Sequence, residues 1–210
     1  MYLPSHFEET RVEVMHQLMQ EHPLAMLVSH GAAGLDANHL PFEIVPAAEA
    51  FGTLRGHVAR GNPLWRELAG GEVLAVFQGA QAYITPAWYP TKQETEKVVP
   101  TWNYAVVHAH GPLRVIDDPA WLRALVTRLT ERHEAAMPTP WQVSDAPADF
   151  IDRQLQAIVG IEIPIARLVG KWKTSQNRSA TDRAGVVQGL QAAGDAASLA
   201  MAALVGQASR

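Results

Sequence analysis

The 210-residue chain contains no cysteine, and this absence excludes several kinds of chemistry. Thiol nucleophiles, CxxC redox pairs, thiolate metal ligands and disulfide scaffolds all need that residue. Apolar runs are short, and none reaches the ~20 residues that a membrane-spanning helix requires. The first ten residues carry acidic side chains where a signal peptide has a basic start and an apolar run. We therefore expect a cytoplasmic protein that does not associate with membranes.

The common catalytic motifs are missing as well. The sequence has no GxSxG, GxxxxGK[ST], GxGxxG or HExxH pattern, since His133-Glu134 is not followed by a second histidine. The net charge of −4 gives no basic field for nucleic acid, and no helix-turn-helix pattern is evident. We therefore assign no catalytic residue and expect a protein that is not an enzyme.

The apolar pattern predicts a chain rich in β-strands. Short apolar or alternating segments at residues 24–28, 38–45, 53–58, 72–77, 102–116 and 158–168 read as strands. Pro41 interrupts the second of them, which indicates a sheet edge or a bulge because proline cannot donate a ladder hydrogen bond. Helical spacing marks residues 8–21, a segment opened by Asp118-Pro119, residues 148–157, and the chain after Arg178.

These elements do not alternate regularly between strand and helix, which disfavours a doubly wound parallel sheet. The sequence predicts an α+β protein with six or seven mostly antiparallel strands, in a barrel or sandwich with helices outside. We expect one domain over residues 1–190. An Ala-rich helical tail, residues 191–210, should pack on this domain or on a partner subunit.

Three polar or aromatic segments are candidates for binding. Residues 171–178 (KWKTSQNR) carry three positive charges and no negative one, which suits a phosphate or another anion unless the segment is a solvated turn. His57 and Arg60 come where a strand ends before a predicted helix at Pro63, and helix N-termini hold anions. Aromatic residues cluster at 83–104, as expected of a stacking wall or a dimer interface.

Two further patterns are given ordinary structural roles. His108 and His110 share a strand face and could chelate a metal, but no third ligand lies near in sequence, so we assign no metal site. Asp117-Asp118 could be a carboxylate pair, but helix capping explains both.

The motifs taken together resemble the PaiB-like negative transcriptional regulators, an FMN-binding family of the split β-barrel class. The matching segments are MYLPSHF at residues 1–7, NHLPF at 38–42, GHVAR at 56–60 with Asn62-Pro63, YITPAWY at 83–89, VPTWNY at 99–104, VHAHG at 107–111 and GKWKTSQNR at 170–178. The resemblance runs from Met1 to about Leu190. It implies a homodimeric split barrel with a flavin pocket at the subunit interface and a role in gene repression.

The same resemblance assigns roles to residues of the expected FMN site. The phosphate would be held by the cationic side chains Arg60, Lys171, Lys173 and Arg178. Donors to the ribityl hydroxyls or flavin carbonyls would be His39, His57, Gln176 and Asn177, and Trp102 would stack on the ring. Repression would act on DNA directly or through a partner protein. Because the chain lacks a basic balance, action through a partner or a sensed ligand is favoured. An FMN-dependent oxidoreductase and a haem-binding split barrel are the alternatives.

Overall fold

The computed structural model describes residues 1–47 and 50–207, which contain seven α-helices and ten strands, rather than the six or seven strands predicted. The strands are β1 Glu8–Glu9, β2 Leu24–Gly31, β3 Gly34–Pro41, β4 Glu43–Ala47, β5 Ala50–Ala59, β6 Glu72–Ile84, β7 Thr101–Pro112, β8 Arg114–Ile116, β9 Ile158–Pro164 and β10 Arg167–Lys173. The helices are α1 Val12–Glu21, α2 Leu64–Glu67, α3 Lys92–Thr95, α4 Pro119–Glu134, α5 Ala148–Gln156, α6 Ala180–Ala193 and α7 Ala196–Gln207.

The chain forms two compact units. Unit 1 contains Met1–Glu21, Gln78–Val107 and the chain from Val169 onward, and unit 2 contains His22–Phe77 and His108–Leu168. The long strands β6 and β7 contribute residues to both units. The predicted division into a domain at 1–190 and a tail at 191–210 stays a prediction.

Unit 1 contains a sheet segment in the order β1-β10-β7-β6, with β1 and β10 antiparallel. Helix α1 packs on this segment through Met15, Leu18 and Met19, all of them buried. Two glycines permit the close approach: a Cβ at Gly79 would lie 2.9 Å from a Leu18 methyl carbon, and one at Gly170 would lie 2.7 Å from the Met15 sulfur.

Helices α6 and α7 pack against each other and on the end of β6 within unit 1. The Ser179 hydroxyl accepts from the Asp182 amide at 3.1 Å and caps α6, and Gly194, with φ of 75°, ends it. Both helices contribute to one buried cluster made of Ala82, Ile84, Tyr89, Val186, Leu190, Met201, Ala202 and Val205.

Unit 2 contains the sheet segment β6-β2-β3 and a second sheet in the order β4-β5-β9-β8. Every strand pair of known register is antiparallel, as predicted. The alternation predicted for residues 53–58 is confirmed, because Leu54 and Val58 are buried while Thr53, Arg55 and His57 are only half-buried. Helix α4 begins after Asp118, whose carboxylate accepts from the amides of Ala120 and Trp121.

The single strand predicted at residues 38–45 is wrong. The structure has two strands there, because β3 ends at Pro41 and β4 begins at Glu43, and each lies at the edge of a different sheet. Proline offers no N–H to continue the ladder, and the Phe42 amide donates instead to the Pro23 carbonyl at 2.9 Å. Pro41 therefore lies at a sheet edge, as inferred, but the predicted strand does not continue through it.

We predict that Gly111→Ala destabilises the protein by about 1–3 kcal/mol, the usual range for overpacking. A Cβ at Gly111 would lie 2.0 Å from the backbone oxygen of Pro164, an atom that cannot move without displacing β9. Gly61→Ala is the matched control, since nothing lies within 4 Å of its Cβ position. Urea unfolding followed by circular dichroism measures both changes, and equal midpoints for the two variants would contradict the packing described.

Candidate functional site

The basic segment 171–178 lies in unit 1, between β10 and the start of α6. The Lys173 ammonium donates to the Trp102 carbonyl oxygen at 2.6 Å and to the Thr101 hydroxyl. Burial lowers the pKa of Lys173, and repulsion from Lys171 and Arg178 lowers it further. One of its three N–H groups is left for another acceptor.

Arg178 supplies a second positive charge at this site. Its guanidinium carbon lies 4.8 Å from the centroid of the Tyr89 ring, and it forms no ion pair with a carboxylate of residues 1–47 or 50–207. Burial raises the pKa of the Tyr89 hydroxyl, and the Arg178 charge opposes this rise. The buried Asp182 carboxylate accepts from the Thr91 hydroxyl at 2.9 Å.

Buried polar groups lie beneath these cations. Thr174, Ser175 and Asn103 are all buried, and the Asn103 amide nitrogen donates to the Ser175 hydroxyl at 2.8 Å. Ser175 has a φ of 66°, which is unusual for a residue with a side chain. The Asn103 carbonyl oxygen is buried without a hydrogen-bond partner in the described chain. Such an unmet acceptor is uncommon in folded proteins and often marks a functional position.

Two predicted ligand residues of the segment serve its own structure. Lys171 is buried, donates to the Tyr2 carbonyl at 3.1 Å and lies 5.2 Å from the centroid of the Tyr104 ring. The Gln176 side chain closes the loop, because it donates to the Trp172 carbonyl at 2.6 Å and accepts from the Thr174 amide at 2.7 Å. Asn177 is exposed.

Trp102 and Tyr83 form an exposed aromatic surface in unit 1. Their side chains are 54% and 48% exposed, and their ring centroids lie 6.0 Å apart in an edge-to-face arrangement. Because Lys173 donates to the Trp102 backbone, a positive charge lies beside this surface. The structure therefore brings together Trp102, Lys173 and the loop that leads to Arg178.

The other three predicted residues lie in unit 2. Arg60 uses four of its five N–H groups: two on the Asp117 carboxylate, at 2.7 and 3.0 Å, and two on backbone oxygens of Gln156 and Ile158. The Arg60 guanidinium lowers the pKa of the Asp117 carboxyl. Arg60 thus ties the end of β5 to neighbouring elements, and one N–H remains for a ligand. His39 is exposed on β3, opposite Met26.

His57 borders a cleft of about 340 Å³ on the side of the second sheet that α4 covers. Burial lowers the pKa of His57, and its Nδ1 atom is buried without a hydrogen-bond partner in the described ranges. The other residues that line the cleft are Pro41, Val126, Leu129, Thr130, His133, Glu134 and Trp141. Sequence reasoning missed this cleft, because its walls come from three separate segments.

Among the described residues, the pair His108 and His110 has no third metal ligand beside it. Their ring centroids lie 6.3 Å apart, and His110 Nδ1 lies 3.0 Å from an Arg167 side-chain nitrogen. Burial lowers the pKa of both histidines. No group of three or more histidine, aspartate or glutamate side chains is arranged for a metal within residues 1–47 and 50–207.

Comparison with known proteins identifies what the chain is similar to. Residues 1–167 match the model of the family described as "Putative FMN-binding domain". An uncharacterised protein of Emericella nidulans is 34% identical, over 98% of this chain and 96% of that protein. The protease synthase and sporulation protein PAI 2 of Bacillus subtilis is 32% identical, over 91% of this chain and 89% of that protein.

One solved structure shows the same fold at low sequence identity. It is the FAD and heme binding protein of Mycobacterium smegmatis, which aligns with a TM-score of 0.60 at 17% identity. The alignment covers 79% of this chain and 73% of that one. It confirms the predicted α+β fold of the split-barrel class.

No helix in the described chain combines the length and apolar character needed to cross a bilayer.

Proposed function

Because the chain belongs to the FMN-binding domain family that includes PaiB-like proteins, we propose that it is a negative transcriptional regulator that senses ligands as an FMN-binding homodimer. FMN is the cofactor that the family assignment gives. The observation that carries the proposal is the pair Lys173 and Arg178, two cations beside an exposed aromatic surface that form no ion pair with a carboxylate of the described residues.

The residues of unit 1 fit the chemistry of FMN. Lys173 and Arg178 would hold the phosphate, since a mobile ammonium and a planar guanidinium both bind phosphate oxygens. Asn177 would donate to the ribityl chain, and Trp102 would stack on the ring. The unpaired Asn103 oxygen is an acceptor suited to a ribityl hydroxyl or a flavin N–H once the loop adjusts.

The remaining predicted residues would act less directly. Lys171 and Gln176 would fix the loop that presents the phosphate ligands, because their polar atoms already bond to unit 1. His39, His57 and Arg60 stay predictions as flavin contacts. Bound FMN supplies a ring that can accept one or two electrons. The protein's part is to bind the phosphate, orient the ring and exclude water.

We predict that replacing Lys173 and Arg178 together by alanine weakens FMN binding well beyond tenfold, because each charge-assisted contact contributes roughly 1.5–3 kcal/mol. Quenching of FMN fluorescence on titration with protein measures the dissociation constant. Riboflavin, which lacks the phosphate, provides the internal comparison: wild type should prefer FMN, and the double variant should bind both alike.

Arg153→Ala with Lys92→Ala is the matched control for net charge, since it also removes two positive charges, here from one exposed residue in each unit. The control should retain the preference for FMN. Wild-type binding weaker than about 100 μM would overturn the cofactor site, because a resident cofactor binds more tightly than this. Unchanged FMN binding by the Lys173 and Arg178 variant would overturn only the residue assignment.

Regulation through a partner or a ligand is supported by the chemistry of the C-terminal helices. Helices α6 and α7 form a hairpin, but α7 (AASLAMAALVGQ) contains no charged residue. A recognition helix reads base edges and phosphates with arginine, lysine, asparagine or glutamine, and α7 carries only Gln207 at its last position. Helix α7 therefore does not supply a groove-reading helix.

We predict that the FMN-loaded protein changes expression of a target promoter in cells, whereas the purified protein alone gives no sequence-specific gel shift. A reporter assay with wild type and the Lys173 and Arg178 variant tests the first part. Sequence-specific binding to DNA by the purified protein would support regulation and exclude the need for a partner.

The alternative is an FMN-dependent oxidoreductase or a haem-binding split barrel. This alternative is retained because the chain shares its fold with a protein that binds FAD and heme. The absorption spectrum of the purified native protein separates the cases. A flavin band that bleaches with a nicotinamide donor and recovers with turnover of an acceptor would support the enzyme. A Soret band would support haem binding.

We predict that the protein is a dimer whose interface includes the exposed Tyr83 and Trp102, because apolar surfaces of this kind are normally covered. Tyr83→Glu with Trp102→Glu should give particles near the single-chain mass of 22.9 kDa by light scattering, and wild type about twice that mass. Leu35→Glu is the control, because Leu35 is 77% exposed and lies in unit 2. A monomeric wild type would contradict the dimer.

A further inference from the structure

The cleft beside α4 has the size and lining of a small-molecule site. Its volume of about 340 Å³ falls within the roughly 300–1,000 Å³ of ligand pockets. Val126, Leu129 and Pro41 give it apolar walls, while Thr130, His133 and Glu134 come from the last turns of α4. A lining with both apolar and polar residues accommodates a ligand that has an apolar body and one polar end.

The electrostatic character of the cleft is negative. Glu134 is the one acidic side chain among the described residues that line it, and none of these is lysine or arginine. One Glu134 oxygen accepts from the Trp141 amide at 2.9 Å, which fixes the carboxylate and leaves the other oxygen for a ligand. Arg128, on the same helix, binds both oxygens of Glu43, while Arg132 and His133 lie with Glu134 in the last turn.

The end of α4 adds to this negative character. The C-terminus of a helix carries a partial negative charge from its unpaired carbonyls, and this charge attracts cations. Helix α4 has 16 residues and ends at Glu134, so its C-terminal turn and the carboxylate lie at the same place. Both therefore favour a cationic group at one end of the cleft.

Trp141 provides an aromatic surface at the rim. Its side chain is 43% exposed and comes from the loop after α4. The indole is the ring that attracts cations best, and a neighbouring carboxylate strengthens the preference. A positively charged group is favoured by the indole, the carboxylate and the helix C-terminus together. A hydrophobic body is favoured by the apolar walls.

We propose that this cleft binds a small organic ammonium compound with an aromatic or aliphatic body, with its ammonium group between Glu134 and Trp141. Glu134 and Trp141, the two proposed ammonium contacts, are not among the residues predicted to hold FMN, and the proposal does not depend on the flavin site. In a regulator that senses ligands, such a compound is a candidate effector.

The probe is 2-phenylethylammonium, compared with two molecules of similar shape and different charge: neutral 2-phenylethanol and anionic 3-phenylpropanoate. Binding is measured by calorimetry on the full chain, with and without saturating FMN. We expect the cation to bind at least tenfold more tightly than the alcohol and the anion not to bind. Chemical shifts of the Trp141 indole N–H, assigned with Trp141→Phe, report where the probe lies.

Glu134→Gln removes the charge and retains an oxygen that can accept from the Trp141 amide. We expect it to weaken binding of the cation about tenfold or more and to leave binding of the alcohol unchanged. Glu131→Gln is the matched control: it removes the same charge from an exposed residue of α4 that does not line this cleft, and it should change neither.

Three results would overturn the proposal: equal binding of the cation and the anion, unchanged affinity in Glu134→Gln, or no binding of the cation up to about 10 mM. Competition between FMN and the probe would also overturn it, because the cleft would then belong to the flavin site. Absence of FMN binding leaves this test intact, so its outcome and that of the flavin proposal are distinguishable.

Discussion

The candidate site depends on Lys173 and Arg178, two neighbouring cations that pair with no carboxylate within residues 1–47 and 50–207. Burial lowers the pKa of Lys173, and repulsion from Lys171 and then from Arg178 lowers it further. The fold tolerates this arrangement because backbone and hydroxyl oxygens of Thr101 and Trp102 accept from Lys173 and the Tyr89 ring lies under Arg178. A bound dianion would relieve the repulsion, so the strain favours phosphate binding.

Arg60 has a structural role, in contrast to Arg178. Its guanidinium faces a carboxylate and two backbone carbonyls, so its charge is neutralised and its position fixed by the fold. From sequence, Arg60 and Arg178 are equally good phosphate ligands, since both lie in polar motifs near strand ends. Only the tertiary partners distinguish a structural arginine from one that has spare donors.

Much of the fold could be predicted from local sequence. Periodicity located β5 and β9, and Asp118-Pro119 located the start of α4, because alternation, capping and proline geometry act over a few residues. The break at Phe42 was missed, since a strand interrupted by proline looks the same whether the chain bends within one sheet or passes to another. The cleft at Glu134 was missed for a similar reason: no local pattern shows that Trp141 will turn back to a helix end.

The candidate site was predictable only in part. The charge of a side chain can be read from the sequence, but whether its hydrogen bonds are satisfied within the fold cannot. The segment 171–178 was found by its three positive charges, yet Lys171 and Gln176 prove to be engaged within the fold. Asn103 was overlooked as a single residue, although its buried oxygen has no hydrogen-bond partner in the described chain, as is also true of the Tyr89 hydroxyl in unit 1. Because burying an acceptor without a donor is costly, such an atom persists most readily where a ligand completes the hydrogen bond. The polar groups of this motif that already have partners within the fold therefore hold the structure. Those without such partners in the described chain are available to the proposed ligand.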